Sequence, residues 1–258
     1  MTIRRSLLLG LSALLLSSQV LADGSVEVRG DAAKAGKIGI TASSRLSDVF
    51  RTAQVNAEGY WLAAAWLQPS LRQPQKRLKA GILFDLSLLQ QKALLDDQPE
   101  LASLASRLHT QVAGMPVSGR RINLLDPVAL EVDPAQNRLA SDGDSFIFPP
   151  RPNSVRVMGA VAADCNLAFV PLQQARDYLQ QCPQRAEADP DYLYLIQPDG
   201  QVSRLGIALW NHQEGLPVAP GATILVPLKA ASADSTFPQL NSEMAAFIAT
   251  QPLSEVAP

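Results

Sequence analysis

The chain has 258 residues, of which 47% are hydrophobic and 18% are charged, a composition typical of a globular protein rather than a disordered one. This length is sufficient for two small domains. The formal net charge is −2, and no run of Lys and Arg accompanies an aromatic-rich strand pattern, so nucleic acid is not an expected partner.

A secretory signal peptide is predicted at residues 1–22. Arg4 and Arg5 provide its positive charge, Leu7–Leu16 form an apolar segment too short to span a bilayer, and Val20–Ala22 fit a cleavage site. Its removal leaves 22 − 2 = 20 basic and 24 acidic residues, so the mature net charge is 20 − 24 = −4. No later apolar run reaches spanning length, and we expect a soluble mature protein, without a transmembrane span, outside the cytoplasm.

The first predicted unit begins with two short strands, at Val26–Gly30 and Lys37–Thr41. Ser44 is the predicted N-cap of a helix that has Asp48 in its first turn. The spacing of the apolar residues predicts one buried face of that helix, made of Leu46, Val49, Phe50 and Ala53. A third strand is predicted at Tyr60–Gln68.

A helical hairpin is predicted to be inserted at about residues 74–119. Its first helix covers Gln75–Leu95, Pro99 fits the first position of the second helix, and Gly114 is a good stop. Two apolar stripes follow the helical period: Leu78, Ile82, Leu86, Leu89 and Leu94 on the first helix, and Leu101, Leu104, Ala105, Leu108 and Val112 on the second. The stripes are too large for the hairpin to bury alone, so we predict that it docks on the second unit.

Beyond the hairpin, extended structure is expected at Arg121–Leu124, and a short helix or turn at Asp126–Asp133. Ser145–Phe148 is the predicted closing strand of the first unit. The prolines of the following PPRPN segment cannot continue a ladder, and they predict a stiff joint. The second unit is predicted to contain strands at Val155–Met158, Leu167–Val170, Tyr192–Ile196, Val202–Leu205 and Thr223–Pro227, and a helix at Pro171–Gln181 with Leu172, Ala175 and Leu179 on one face.

The two units are predicted to be copies of one another. VRVMG at Val155–Gly159 repeats VEVRG at Val26–Gly30, an offset of 155 − 26 = 129 positions. GATILVPL at Gly221–Leu228 repeats GDSFIFPP at Gly143–Pro150, an offset of 221 − 143 = 78 positions. The first copy therefore carries 129 − 78 = 51 additional residues, which accommodate the hairpin.

The predicted fold class is α+β, with tandem β-grasp (ubiquitin-like) domains. Two strands, a helix and further strands are the order of a β-grasp domain, although propensity alone allows other α+β folds. One helix per unit argues against a doubly wound sheet. The predicted domains are residues 23–151 and 152–230, followed by a C-terminal linker and amphipathic helix at 231–258. Leu240, Met244, Phe247 and Ile248 give that helix an apolar stripe, and the helix is too short to span a membrane. We predict that it folds back on the second unit. The alternative is an exchangeable helix that leaves this position to meet a membrane or a partner.

Cys165 and Cys182 are the two cysteines of the chain. An even count in an exported protein favours a single disulfide, and two buried thiols are the alternative. The pair would close a short loop within the second unit.

Several motifs resemble the capsule and exopolysaccharide biosynthesis family typified by GfcC and its YjbG-like relatives. They are VEVRG, YWLAAAWL, GDSFIFPPRPNSVRVMG and PGATILVPL, in this order and with a hairpin inserted in the first repeat. The repeats are also similar to the β-grasp repeats of the polysaccharide exporter Wza, whose long outer-membrane helix has no counterpart that we recognise. The resemblance covers nearly the whole mature chain. It implies a periplasmic accessory protein for export or assembly of a surface polysaccharide, with no established enzymatic reaction.

Three residues are candidates for binding. Arg120 and Arg121 end the hairpin insertion and are placed to clamp an acidic group or carbonyls between the hairpin and the second unit, or to form a solvated strand edge. Trp210 precedes Asn211 and His212 and could stack on a sugar ring, although a buried core Trp is the commoner case.

Catalytic chemistry has weaker support in the sequence. The pairs Asp142/Asp144 and Asp126/Asp133 could serve a polysaccharide hydrolase or modifying enzyme, but Asp beside Gly is common in turns. His109 and His212 lie in different units, and no metal site or cofactor is expected. The leading hypothesis is a non-enzymatic accessory protein whose partners are a surface polysaccharide, envelope export proteins, or both. A hydrolase and a structural adaptor that docks another envelope protein are the alternatives.

Overall fold

A computed structural model describes residues 23–213, 216–231 and 235–253. Within these ranges the chain is an α+β protein with two five-stranded mixed sheets and several helices. The predicted signal peptide lies outside the described residues. No helix in the described ranges is both long enough and apolar enough to cross a membrane.

The first sheet has the order β2-β1-β5-β3-β4. β1 and β5 are parallel neighbours at its centre, and the other pairs are antiparallel. Its strands are β1 Gly24–Gly30, β2 Gly36–Ile40, β3 Ala65–Leu67, β4 Arg120–Arg121 and β5 Ser145–Phe148. Two helices accompany this sheet, α1 Leu46–Ala53 and α4 Pro127–Val132.

The second sheet has the order β7-β6-β10-β8-β9, again with one parallel pair, β6 and β10, at its centre. Its strands are β6 Ser154–Gly159, β7 Cys165–Ala168, β8 Tyr192–Ile196, β9 Val202–Gly206 and β10 Thr223–Val226. The short helix α5 Ala175–Tyr178 lies between β7 and β8.

The two sheets repeat each other in detail, as the repeated motifs predict. Gly30 and Gly159 both have positive φ, at 87° and 102°, and both end the first strand of a sheet. At each position an added Cβ would collide with a backbone carbonyl of the parallel partner strand, that of Phe148 or of Val226. Such a position favours glycine, because L side chains rarely adopt this backbone conformation. The repeated glycines therefore mark equivalent points of two copies of one topology.

Helix α1 buries the face that its spacing predicts, and it packs on the first sheet. Leu46, Val49, Phe50 and Ala53 are all buried, and the Phe50 ring meets Phe146 and Phe148 edge-on at 5.3 and 5.1 Å between centroids. The predicted N-cap is wrong by one residue. Ser44 Oγ instead accepts a hydrogen bond from the Thr41 N–H, and Asp48 accepts the N–H of Arg45, the actual N-cap.

The inserted hairpin consists of α2 Arg72–Leu95 and α3 Pro99–Gly114. Its buried residues share one hydrophobic cluster with the second sheet, so the prediction that it docks on the second unit is confirmed. Leu94, predicted on the α2 stripe, is exposed and Ala93 is buried in its place. Five residues after Leu89, position 94 has rotated away from the stripe, whereas position 93 remains on it.

The C-terminal helix α6, Leu240–Ala249, also joins that cluster. Leu240, Met244, Phe247 and Ile248 are buried, as predicted. Asn241 is buried as well, and its amide donates to the carbonyls of Leu228 and Ala231 at 2.9 and 3.0 Å. Helix α6 therefore folds back on the second sheet.

The predicted helix at Pro171–Gln181 is largely wrong. It is reduced to α5 and one 3-10 turn at Leu179–Gln181, and Leu172 is 90% exposed. Leu172 has a left-handed φ of 64°, which a helix cannot contain. The preceding strand is also shifted toward the N-terminus, because the Val170 N–H bonds the hydroxyl of Tyr178 at 2.9 Å instead of joining the sheet.

The predicted third strand at Tyr60–Gln68 is shorter than expected. Trp61–Ala63 forms a 3-10 turn, and only Ala65–Leu67 pairs with the sheet. The extended segment expected at Arg121–Leu124 pairs with the sheet only at Arg120 and Arg121. A short helix is confirmed within Asp126–Asp133, where the Asp126 side chain accepts the Val128 N–H as an N-cap.

The structure contains the predicted disulfide between Cys165 on β7 and Cys182 after α5, with 6.0 Å between the Cα atoms. It therefore ties the edge strand of the second sheet to the segment that carries its short helix.

Candidate functional site

Arg120 lies where the hairpin, the two sheets and the C-terminal segment meet. It belongs to β4 at the edge of the first sheet, opposite Leu67 of β3. The preceding residue, Gly119, has a φ of 78°, and a Cβ there would collide with the carbonyl of Gln68. The chain can thus approach β3 closely just before it delivers the Arg120 side chain into the junction.

The guanidinium of Arg120 is bonded to backbone carbonyls from three parts of the fold. Nη2 donates to Ala64 of the first sheet region at 3.4 Å and to Pro198 in the β8–β9 turn. Nη1 donates to Ala249 and Gln251 at the end of α6, at 3.3 and 3.2 Å. Only 3% of Arg120 is exposed. The structural clamp that the sequence suggested is therefore present, and its partners are carbonyls.

Burial lowers the pKa of Arg120 to about 10, and the carboxylate of Asp199 opposes this decrease. The side chain consequently remains charged near neutral pH. Ala249 is the last residue of α6, and the carboxyl end of a helix carries partial negative charge that favours a cation. Arg120 is thus a charged side chain that connects the two sheets through hydrogen bonds.

A cleft of about 710 Å³ opens beside Arg120. Met115 and Pro116 at the end of the hairpin form one wall, and Pro150 and Pro152 of the joint between the sheets also line it. The volume is within the usual range for small-molecule sites. The remaining wall comes from the second sheet and the segment after α6.

Polar side chains of the second sheet form a row along the cleft. Arg156 of β6 is in register with Asn166 of β7 on one side and with Thr223 of β10 on the other, so the three share one face. All three line the cleft, and Asn166 is exposed. Together they present a cation, an amide and a hydroxyl, which can donate and accept hydrogen bonds with a polar ligand.

Arg156 is linked to the hairpin through Asp164. Its Nη2 donates to Asp164 at 2.7 Å, and Asp164 is also bonded by Gln111 of α3 at 3.0 Å. Arg107, again from α3, lies 3.5 Å from Asp164 and donates to the carbonyls of Gly159 and Val161 at 2.8 and 2.6 Å. The docked hairpin therefore orients the wall of the cleft.

Sequence reasoning missed this row. The available signal was the alternation of β6, where Arg156 stands between Val155 and Val157, which are buried on the opposite face. Nothing in the sequence indicated that the β6 face carrying Arg156 would border a cleft, because the hairpin forming one wall is distant along the chain.

Arg121 takes a different role from its neighbour, because consecutive strand residues point to opposite faces. Its guanidinium lies 5.2 Å from the centre of the Trp66 ring, and Nη1 donates to Gln68 at 3.0 Å. It does not line the cleft. Arg121 therefore covers the core of the first sheet.

Trp210 is also outside the cleft, in the turn that follows β9. It is 71% exposed, so the core position that the sequence favoured for it is wrong. Its ring meets Tyr192 edge-on at 6.3 Å. The structure thus does not bring the three candidate binding residues together.

The four candidate catalytic carboxylates have structural contacts. Asp126 caps α4, Asp133 accepts the Ala135 N–H, and Asp142 accepts the Ser25 N–H at 2.8 Å. Asp144 is buried and accepts the indole N–H of Trp66 at 2.8 Å and the N–H of Ser141 at 2.9 Å. Burial raises the pKa of Asp144, and these hydrogen bonds oppose the increase. Local turn or cap bonds are therefore observed at Asp126, Asp133 and Asp144, whereas Asp142 bonds a residue distant in the chain.

The described residues contain no group of three or more His, Cys, Asp and Glu side chains that could hold a metal ion. His109 lies on α3, whereas His212 follows β9, with its Nδ1 3.3 Å from Arg176.

Two family models match this chain, one for each sheet. The model described as "Capsule biosynthesis GfcC, N-terminal" matches residues 22–148, and the model described as "Capsule biosynthesis GfcC C-terminal" matches residues 163–252. This chain belongs to the GfcC family of capsule biosynthesis proteins. Arg120 therefore falls in the N-terminal GfcC match, whereas Asn166 and Thr223 of the cleft fall in the C-terminal one.

A curated relative supports the assignment to the GfcC family. The Escherichia coli (strain K12) protein named "Uncharacterized protein YjbG" is 26% identical over 235 residues, which cover 90% of this chain and 93% of the relative. The similarity extends across the hairpin, both sheets and the junction between them.

Proposed function

We propose that this protein is a non-enzymatic periplasmic accessory protein that helps to export or assemble a capsule-like surface polysaccharide. It acts by binding the glycan or an export partner. The observation that carries this proposal is the cleft beside Arg120, with its row of Asn166, Arg156 and Thr223, in a chain of the GfcC family. Two further features support the periplasmic location. Residues 1–22 have the pattern of a signal peptide, and the disulfide suits an oxidising compartment.

We further propose that each sheet is the core of a β-grasp domain. The strand order 2-1-5-3-4 within each unit, the parallel central pair, and a helix between the second and third strands support this. The first domain would span residues 23–151, interrupted by the insert at about 74–119, and the second residues 152–230. The C-terminal linker and amphipathic helix then occupy 231–258.

A glycan suits the cleft because Asn166, Arg156 and Thr223 lie side by side on one face of three neighbouring strands. Adjacent strands lie about 4.8 Å apart, a spacing comparable with that of hydroxyl groups across a sugar ring. Arg156 would favour an acidic sugar, since its side chain is half exposed and the single carboxylate of Asp164 is shared between Arg156 and Arg107. The engagement of Asp126, Asp133, Asp142 and Asp144 in structural hydrogen bonds supports binding rather than hydrolysis.

The proposal is tested by deleting the gene in its native host and complementing it with a double variant, Asn166→Ala with Thr223→Ala. We expect deletion to reduce the surface polysaccharide and the double variant to restore it poorly. The matched control is Gln91→Ala with Thr110→Ala, two exposed positions on the hairpin outside the cleft, which should complement fully.

Purified mature protein is then titrated with that polysaccharide, and new reducing ends are counted. Binding without new reducing ends supports the proposal. Accumulation of reducing ends would instead show a hydrolase, and unchanged surface polysaccharide after deletion would refute the role in export or assembly.

A further inference from the structure

Trp210 presents an indole face to solvent on the turn that follows β9. Its side chain is 71% exposed, whereas Trp66 is almost fully buried in the core of the first sheet. An exposed aromatic side chain of this size keeps much apolar area in contact with water. Its burial against a ligand would therefore be favourable. The junction cleft does not include this residue.

The indole is held in a fixed position at its edge. Nε1 donates to Asp191 at 3.1 Å, and the ring meets Tyr192 edge-on. Tyr192 is fixed in turn, because the guanidinium of Arg204 lies 3.5 Å from its ring centre. The edge of Trp210 is therefore occupied by protein, while its face remains open.

The turn that carries Trp210 is fixed by the next residue. Asn211 Oδ1 accepts the Ala208 N–H at 3.0 Å, and Asn211 Nδ2 donates to the carbonyl of Asp191 at 3.0 Å. Gly206 lies so close to Asn211 that an added Cβ would collide with the Asn211 backbone. These contacts preorganise the indole, so little conformational entropy would be lost when a ligand stacks on it.

A polar hollow of about 380 Å³ lies beside this turn. Its lining includes Arg176, Asp177, Gln180 and Gln184, which offer amide, cationic and carboxylate groups. Two links connect it to the turn: Ile207, which lines the hollow at the start of the turn, and the contact between Arg176 and His212.

We propose that Trp210 and this hollow form a glycan subsite of the second sheet, distinct from the junction cleft. The C–H bonds of one pyranose face carry partial positive charge and would stack on the negative face of the indole. Hydroxyls of the neighbouring sugar would bind the polar side chains of the hollow. The inference rests on the proposed function, since it names the sugar chemistry that a glycan-binding protein of this kind would recognise.

The polar lining and the fixed indole favour a sugar over a lipid surface. A membrane anchor would leave the indole N–H free for headgroups, but Trp210 donates it to Asp191.

The test is a titration of mature protein with maltohexaose, with cellohexaose and with oligosaccharides released from the host polysaccharide by mild acid. The indole N–H resonances are followed by NMR, and that of Trp210 is assigned from the Trp210→Phe variant. We expect this resonance to shift with at least one of these probes. Trp210→Ala should weaken binding about tenfold, whereas Trp210→Phe should stay within about threefold of wild type.

The matched control is Phe84→Ala, which removes another exposed aromatic side chain, on α2, and should leave binding unchanged. Thermal unfolding checks that each variant is folded. Binding by Trp210→Ala equal to wild type, or no shift with any of the three probes, overturns the inference. Trp210-dependent binding to phosphatidylglycerol vesicles without an oligosaccharide shift also overturns it, in favour of a membrane contact.

The two proposals fail differently. If Trp210→Ala binds normally while the Asn166→Ala/Thr223→Ala variant does not, this subsite is wrong and the proposed function stands. If deletion of the gene leaves the surface polysaccharide unchanged, the proposed function fails whatever the Trp210 resonance does.

Discussion

The two sheets share one strand order, yet different helices pack against them. The first sheet packs its own amphipathic helix α1 against a cluster that contains Phe50, Phe146 and Trp66. The second sheet has only the four-residue helix α5, and its cluster takes in the inserted hairpin and helix α6. A duplicated topology can therefore lose most of a helix in one copy when another part of the chain supplies the apolar cover.

A second difference lies at equivalent positions of the repeat. Gly143 of the first copy corresponds to Gly221 of the second. The residue that follows is Asp144 in the first copy and Ala222 in the second, and both are buried. The first sheet thus contains a buried carboxyl held by Trp66, whereas the second is crosslinked by a disulfide. We therefore expect the stability of the first sheet to depend on pH through Asp144 and that of the second to depend on the disulfide.

Replacement of Arg120 should break the connection between the two sheets and give the largest effect. Arg120→Met leaves the carbonyls of Ala64, Pro198, Ala249 and Gln251 without this donor, which we expect to cost about 4 kcal/mol of unfolding free energy. Urea unfolding measures this loss. Arg121→Met is the control and should cost only about 2 kcal/mol, because it removes a partly exposed cation–π contact and one hydrogen bond to Gln68. Equal losses in the two variants would contradict the clamp.

Truncation of buried side chains should show that the hairpin stabilises the second sheet and α1 the first. Leu108→Ala in the hairpin and Leu46→Ala in α1 each remove a fully buried side chain, at an expected cost of about 3 kcal/mol. Hydrogen exchange locates the damage. We expect Leu108→Ala to lower protection most in β6 and β10, and Leu46→Ala to lower it most in β1 and β5. The opposite assignment would show that the hairpin stabilises the first sheet.

Removal of the disulfide should affect the second sheet alone. The Cys165→Ala/Cys182→Ala variant should lose up to about 3 kcal/mol of unfolding free energy, the value expected for a loop of this length. Thiol titration of the denatured, unreduced wild type should detect no thiol, and a reductant should leave the stability of the variant unchanged. Two reactive thiols in the wild type would rule out the bridge.

The smallest effect concerns pH and the first sheet. Because burial raises the pKa of Asp144 above its ordinary 3.8, the unfolded carboxyl loses its proton at lower pH than the folded one. The folded state then binds more protons, so the wild-type unfolding free energy should fall relative to Asp144→Asn as pH rises through and above 3.8. Urea unfolding at several pH values measures the difference. Asp142→Asn, at a more exposed carboxyl, is the control, and an equal pH dependence in both variants would contradict the prediction.

Local patterns predicted much of the chain because each depends on neighbours in sequence. The repeated V-x-V-x-G segments, the face of α1, the start of α3 at Pro99 and the strands β8 and β9 all follow from side-chain period and the residues that bound them. They failed where a side-chain hydrogen bond or an unusual backbone conformation overrides propensity. The Tyr178 hydroxyl takes the N–H of Val170 out of the sheet, and the left-handed Leu172 stops the predicted helix.

The sequence by itself predicted the duplication and the inserted hairpin and favoured the pairing of the two cysteines, since these depend on periodicity, glycine positions and an even cysteine count. Only the tertiary structure decided that Arg120 bonds carbonyls of both sheets, that Asn166, Arg156 and Thr223 share the wall of a cleft, and that Trp210 stays exposed. The physical reason is that these features join residues far apart in the chain. Their positions depend on how the hairpin and α6 pack on the second sheet, which no local pattern specifies.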